Sequence, residues 1–455
     1  MNFTAPAFVL LFPIVLALHW MLPPSRRWVL LLAASLGFYA VGSPQALPLL
    51  AGITLGTYAA ALGIAKSKTQ TAKKLWLTCA AVLCIGCLCL FKYAGIFRTD
   101  VPLLLPAGIS FYTFQTLSYV IDIYRGRLMP ERHPGYYALF VSFFPQLVAG
   151  PIERSTALLP QLHAQERRMD SSGWLWMVRG FAKKLLLADT AAVFVDSVYA
   201  SPADASGPAV LLATLLFAGQ IYWDFSGYSD MAIGMGRCMG FHFDENFNYP
   251  YVTRTITEFW RRWHISLGSF FRDYVYIPMG GNRRHQPLNI LVVWFLTGLW
   301  HGASWNFVLW GLYFGAIIML EKYTIVKIQD RIPGFILHIY SLFIIVFGWV
   351  IFYFTDISRM GGFIGILFGG GASGWNLVAQ NELTGNLWLI IAGIVCCLPI
   401  GKGIRSIYEK AAYDGSVGAE VLLTGAKTLC AAALLVSCTL LLIGSTTNPF
   451  LYLRF

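Results

Sequence analysis

The chain has 455 residues, 57% of them hydrophobic and 12% charged, and its mean hydropathy is +0.62. A soluble globular chain carries about 25% charged residues; this one has too few to cover a water-facing surface, which excludes a soluble domain, a disordered chain, a collagen, a coiled coil and a small disulfide scaffold. The net charge of +11, from 33 Lys and Arg against 22 Asp and Glu, then reads as basic cytoplasmic loops of a membrane protein rather than as a nucleic-acid surface.

In chain order, the first apolar run is Thr4–Leu22, with no Lys or Arg before it and Arg26 and Arg27 after it. A cleaved signal has its basic residues first, so this run is expected to be retained, with the N-terminus outside. Trp28–Val41 ends at Gly42-Ser43-Pro44, a turn signal. Leu47–Ala65 runs into Lys66, Lys68, Lys73 and Lys74, and Leu75–Phe97 into Arg98 and Asp100. Val101–Ile121 leads to Arg125, Arg127 and Arg132. Basic loops thus follow the first, third and fifth spans, the alternation expected when those loops face the cytoplasm.

Later runs fall near 136–150, 174–200, 207–225, 335–355, 386–400 and 419–444. Pro287–Leu320 is 34 residues without a Lys, Arg, Asp or Glu. As one helix it is about 51 Å long, too long for one crossing of a hydrocarbon core of about 30 Å and too short for two. Gly298, Gly302 and Gly311 are places to break it. Irregular backbone at membrane depth survives only inside protein or beside a wet cavity, so broken or re-entrant helices are expected. The expected fold is all-α: a polytopic integral membrane protein of about 10–12 transmembrane helices, with re-entrant and interfacial helices. Continuous apolar runs exclude a membrane barrel, whose strands alternate over about 10 residues.

Nine cysteines lie mostly inside apolar runs. Cys84 and Cys87 form a lone CxxC with no second pair and no nearby His, so they read as packing residues, and no metal site is expected. Gly234, Gly236 and Gly240 are mis-spaced for a dinucleotide loop; Gly236/Gly240 and Gly311/Gly315 read instead as close helix contacts.

His301 lies near the centre of the long uncharged run, about 20 Å deep if a helix starts at Leu288. A polar ring at that depth faces a cavity or a partner, and histidine suits proton transfer near neutral pH. A structural ring bonded to a carbonyl is the competing account. His264 falls at the edge of the apolar arc when Ile256–Tyr274 is laid on a helical wheel. That helix is amphipathic and too charged to span. Six arginines and two acids lie between Arg254 and Arg284. Guanidinium forks suit phosphates, and lipid headgroups satisfy them equally. Asp224 and Asp230 sit beside an apolar run; intramembrane carboxylates mark sites by default, and a helix cap is the alternative.

Several motifs together resemble the membrane-bound O-acyltransferase family, in its bacterial branch serving alginate O-acetylation. They are Ser110-Phe-Tyr-Thr-Phe-Gln115, Phe144-Pro-Gln-Leu-Val-Ala-Gly-Pro-Ile152, Tyr222–Asp230, Asn246-Phe-Asn-Tyr-Pro250, Phe259–Leu267 and Thr297–Gly302. The resemblance covers nearly the whole chain. It implies one membrane domain over 1–455, with N-terminal helices (1–135), a catalytic core (136–325) and C-terminal helices (326–455) around a central tunnel. It matches His301 to the family's invariant histidine and His264 to its second functional one. It implies no bound cofactor and an acyl thioester, acetyl-CoA, as cytoplasmic donor. The acceptor is a polysaccharide outside the cytoplasmic membrane, reached with an extracytoplasmic acetyltransferase-like partner.

The expected roles follow. His301 is the general base, with an acyl-histidine intermediate as a variant. His264 orients the acceptor or polarises the thioester. Arg261, Arg262 and Arg272 hold the donor's phosphates, with Asp224, Ser226, Trp300 and Asn306 as further substrate contacts and Asp224 fixing a histidine tautomer. D-alanyl transfer from a carrier protein to teichoic acid is the alternative within the family. A transporter or flippase is the alternative outside it, because broken helices and midplane polar groups also describe transporters.

Overall fold

The computed structural model describes residues 3–97, 105–200, 206–370, 374, 377–413 and 417–444. Helices α1 (Pro6–Met21), α2 (Pro24–Gly42), α3 (Leu47–Lys66) and α4 (Gln70–Phe97) follow the first four apolar runs. α5 covers only Ile109–Tyr124 of the fifth, and residues 101–104 lie outside the described part. Its start is set by Gly108, whose φ of 75° few other residues adopt; an added Cβ there would meet the Leu147 carbonyl oxygen at 2.3 Å.

Short helices α6 (Pro134–Ser142), α7 (Phe144–Leu147) and α8 (Ser155–His163) lead to α9 (Ser172–Ala182). A π-helical turn, Lys183–Ala188, joins α9 to α10 (Asp189–Ala200). α11 (Gly207–Cys238) is the central helix, buried along most of its length. It packs on α9 through paired glycines: an added Cβ on Gly234 would meet the Gly173 carbonyl at 2.6 Å, and one on Gly180 the Gly227 carbonyl at 2.5 Å. The expected Gly236/Gly240 helix contact is not what forms. Gly236 packs against the Phe243 ring, and Gly240 turns the chain at the helix end with φ 80°.

Two expectations for the second half are corrected in detail. The amphipathic segment is not one helix over Ile256–Tyr274 but two, α12 (Ile256–Arg262) and α13 (Ile265–Phe271), broken at His264. The long apolar run does break, at Gly302, into α14 (Gln286–His301) and α15 (Trp305–Tyr323). Gly298 and Gly311 stay helical. Each serves close packing instead: a Cβ on Gly298 would lie 2.3 Å from the Phe307 carbonyl oxygen, and one on Gly311 2.3 Å from that of Trp294. A one-turn helix, α16 (Ile325–Ile328), precedes α17 (Gly334–Tyr353); α18 (Ile357–Gly365), α19 (Leu377–Gly385), α20 (Leu387–Cys397), α21 (Ile400–Tyr413) and α22 (Val417–Gly444) complete the chain. Among the described residues, six helical segments are long and apolar enough to cross a membrane: Pro44–Lys66, Gln70–Tyr93, Gly207–Cys238, Trp305–Arg331, Gly334–Tyr353 and Val421–Leu442. The protein is an all-α, multi-pass membrane protein.

Contacts near helix ends gather on two patches. On one, Trp28 stacks edge-on to His133 at 4.9 Å, the Tyr58 hydroxyl donates to the Arg132 carbonyl, and Arg125 Nη1 donates to the Asp273 carbonyl at 3.2 Å. This basic face carries Arg125 and Arg132, with Arg26 and Arg27 just before Trp28 in sequence. On the other, Arg359 reaches the Ala200 carbonyl at 2.9 Å and Ser304 the Thr355 carbonyl at 3.4 Å.

Glu153 lies in the loop after α7, 3% exposed, and its Oε1 accepts the Asp244 N–H at 3.2 Å. Burial, reinforced by the Asp244 carboxylate, pushes its carboxyl up to about 8 from 4.5. The native state therefore keeps a proton that the unfolded chain has lost. Stability is expected to fall as pH rises from about 4.5 to about 8, a slope that Glu153→Gln removes in thermal unfolding of the detergent-solubilised protein.

Candidate active site

His301 is the last residue of α14, and the chain leaves it through extended Gly302. Its ring is enclosed by aromatics, with centroids of Trp300 at 4.9 Å, Trp310 at 5.0 Å and Phe352 at 5.0 Å. It is nevertheless not sealed. His301 lines two cavities, one of about 460 Å³ and one of about 150 Å³.

The wide cavity runs between α12–α13 and α14. Trp260, Trp263, His264, Trp294 and Thr297 form its walls, with Arg261 and Arg272 also on the lining. The narrow cavity is bounded by Lys92 of α4, the turn 105–108, Ser110 and Phe111 of α5, and Trp300. His301 is thus shared by two spaces whose described linings differ, wide and arginine-edged on one side, narrow with Lys92 on the other.

His264 belongs to the wide cavity. It has φ 43°, the left-handed region, at a cost of roughly 1–2 kcal/mol for a non-glycine residue. Asn246 holds it there. Asn246 Oδ1 accepts the Ser266 N–H at 3.1 Å and the Ser266 hydroxyl at 2.9 Å, which fixes that atom as the oxygen. His264 Nδ1 lies 3.2 Å from the same oxygen and must donate to it. The proton therefore sits on Nδ1, and Nε2 carries the lone pair. Replacing Asn246 by alanine removes its bonds to Ser266 and the one bond that holds the His264 ring, worth about 0.5–1.5 kcal/mol. An approximately tenfold fall in kcat with the donor KM unchanged is expected in steady-state assays.

A second tie joins the two scaffolds. Glu321, fully buried near the end of α15, accepts the backbone N–H of Ile256 at 2.5 Å and of Thr257 at 2.8 Å. It thereby caps the start of α12 from the helix hairpin that carries His301.

The sequence-predicted residues divide. His301, His264, Arg261, Arg272 and Trp300 all line the cavities. Arg262 instead pairs with Glu258 at 2.6 Å, one helical turn earlier. Asp224 and Ser226, expected at the substrate, face the α9–α10 junction: Lys184 Nζ donates to Asp224 at 2.8 Å and Lys183 Nζ to Ser226 at 3.1 Å. The tautomer-fixing role expected of Asp224 is filled for His264 by Asn246. Asn306 is fully buried and donates to the carbonyls of Ile351 at 3.3 Å and Phe352 at 2.7 Å, tying α15 to α17. Asn246, Lys92 and Ser110 were not expected as site residues. Lys92 is a lone cation in an apolar run, a signal of function in membranes.

The chain is similar to known proteins. A model of the membrane-bound O-acyltransferase family matches residues 129–361. The chain is 36% identical to a probable alginate O-acetylase of Pseudomonas putida over the whole of both chains. It is 38% identical to a probable alginate O-acetylase of Pseudomonas aeruginosa, over 90% of this chain and 83% of that protein. It is 34% identical to a peptidoglycan O-acetyltransferase of Helicobacter pylori, over 72% of this chain and 70% of that one.

Proposed function

Because the chain belongs to the membrane-bound O-acyltransferase family, and so is an acyl-transferring enzyme, we propose that it moves an acetyl group from acetyl-CoA to a hydroxyl of a cell-envelope or secreted polysaccharide. The observation that carries this reading is the one imidazole lining two cavities. The wide cavity takes the slender acyl-pantetheine arm, and Arg261 and Arg272 meet the phosphates. The narrow cavity takes the acceptor hydroxyl. The basic face faces the cytoplasm by the positive-inside rule. Lys92, about 27 Å along α4 from Lys74, then stands toward the outer side of the cytoplasmic membrane. The alginate and peptidoglycan O-acetylating relatives support a polysaccharide acceptor, which an extracytoplasmic acetyltransferase-like partner helps to reach.

In the proposed step His301 takes the proton of the acceptor hydroxyl. The oxygen attacks the thioester carbon, the carbon–sulfur bond breaks, and the proton passes to the departing thiolate. His264, with its lone pair on Nε2, accepts a hydrogen bond from the donor; it has no proton there to polarise the thioester oxygen.

Proteoliposomes supplied with acetyl-CoA labelled in both halves test the reading. The expected result is acetyl label separated from CoA, with free thiol released on the basic face. Label that crosses with the thioester intact would instead make the protein a transporter. Turnover only of a D-alanyl carrier protein, with acetyl-CoA inert, would replace acetylation by D-alanylation.

A further inference from the structure

A hydroxyl attacking a thioester places negative charge on the carbonyl oxygen, and enzymes meet that charge with a fixed donor aimed at it. His301 is committed as base, and Nε2 of His264 is an acceptor. The narrow cavity holds a group of the required kind. Among the described residues lining it, Lys92 alone carries a formal charge, and it shares the cavity with His301.

Lys92 Nζ donates to the Trp300 carbonyl and lies 3.5 Å from Ser110 Oγ and 5.5 Å from the centroid of the Trp300 ring. The adjacent Tyr93 hydroxyl donates to the Leu299 carbonyl. Leu299 and Trp300 belong to the last turn of α14, where carbonyls lack intrahelical partners and the helix dipole is negative. A cap alone accounts for the Trp300 bond, but Tyr93 shows that a neutral hydroxyl caps equally well one residue away. An ammonium has three donors. Among the described residues, with one on Trp300 and Ser110 at the outer limit for a second, donor capacity is left for a ligand in the cavity.

We propose that Lys92 is a catalytic residue of the acyl transfer, its ammonium stabilising the oxyanion formed beside His301. The proposal rests on the acetyltransferase reading. As the acceptor oxygen bonds to the thioester carbon, the carbonyl π pair moves onto oxygen and faces Lys92 Nζ. The hydroxyl proton goes to His301. Collapse restores the carbonyl, expels the thiolate and returns the proton to sulfur. Lys92 changes neither charge nor covalent bonding.

The test uses the full-length protein in lipid nanodiscs, with acetyl-CoA as probe and thiol release as readout. Lys92→Gln keeps a donor for the Trp300 carbonyl but removes the charge. It is expected to lower kcat about 10²–10³-fold with the KM for acetyl-CoA and the melting temperature unchanged. Lys92→Arg keeps the charge and is expected to run at least tenfold faster than Lys92→Gln. A folded Lys92→Gln protein within threefold of the parent rate reduces Lys92 to a helix cap and overturns the proposal. If Lys92→Gln does not fold, Lys92→Arg decides: within about tenfold of the parent supports the proposal, and a folded protein as slow as His301→Ala rejects it. Full activity in His301→Ala would sink the underlying acetyltransferase site, whereas inactive His301→Ala beside fully active Lys92→Gln would sink only the role of Lys92.

Discussion

Replacing His301 by glutamine is expected to slow acyl transfer about 10²–10⁴-fold, the range for losing a positioned general base, while the protein stays folded. Glutamine is polar and of similar bulk, so it fills the space among Trp300, Trp310 and Phe352 without opening a large void. It has no basic nitrogen. The loss should appear in kcat, because the walls of the wide cavity that hold the donor are unchanged. Stopped-flow thiol release and a melting curve of the same sample give both quantities. A folded His301→Gln protein with an undiminished rate would remove the base from the mechanism.

Asp230→Ala is expected to be the most destabilising single change outside the site, by about 3–5 kcal/mol. Asp230 is 5% exposed, in the buried second half of α11. Arg179 grips it with Nε at 2.8 Å and Nη2 at 2.6 Å, and Lys183 Nζ lies 2.8 Å away. Lys183 is itself buried. Removing the carboxylate leaves that ammonium without its anion in an apolar bundle, and the cost is that of an uncompensated charge rather than of a lost bond. Chemical denaturation in mixed micelles should show the loss, and Asp230→Glu should restore part of it. A melting curve unmoved by Asp230→Ala would mean that water already solvates the cluster.

Much of the fold was legible because lipid punishes unpaired polar groups: the apolar runs before residue 97 became α1 to α4 almost as read, and the overlong uncharged run had to break. The break at Gly302 brought His301 to the end of a helix, where two cavities meet. The other errors share a cause. The 100° periodicity of 256–274 suits one helix or two, and the break at His264 is set by Asn246, 18 residues away in sequence. Asp224 and Ser226 read as site residues because a carboxylate in an apolar helix needs a reason. The reason is a pair of lysines about 40 residues earlier, in a π-helical turn that no local pattern announces. Arg262 sits among cavity-facing neighbours, yet one residue rotates a helix by 100° and turned it toward Glu258. Lys92 was legible in principle, as a lone charge within apolar sequence, but its partners lie some 200 residues onward.

The buried carboxylate of Glu321 has a mechanical consequence. It grips the first amides of α12 from the hairpin that carries His301, so swinging α12 and α13 aside as a flap would leave a buried carboxyl group without its hydrogen-bond donors. The two imidazoles therefore travel as one rigid jaw, and cargo must thread an aperture that is already built rather than wait for a gate to lift.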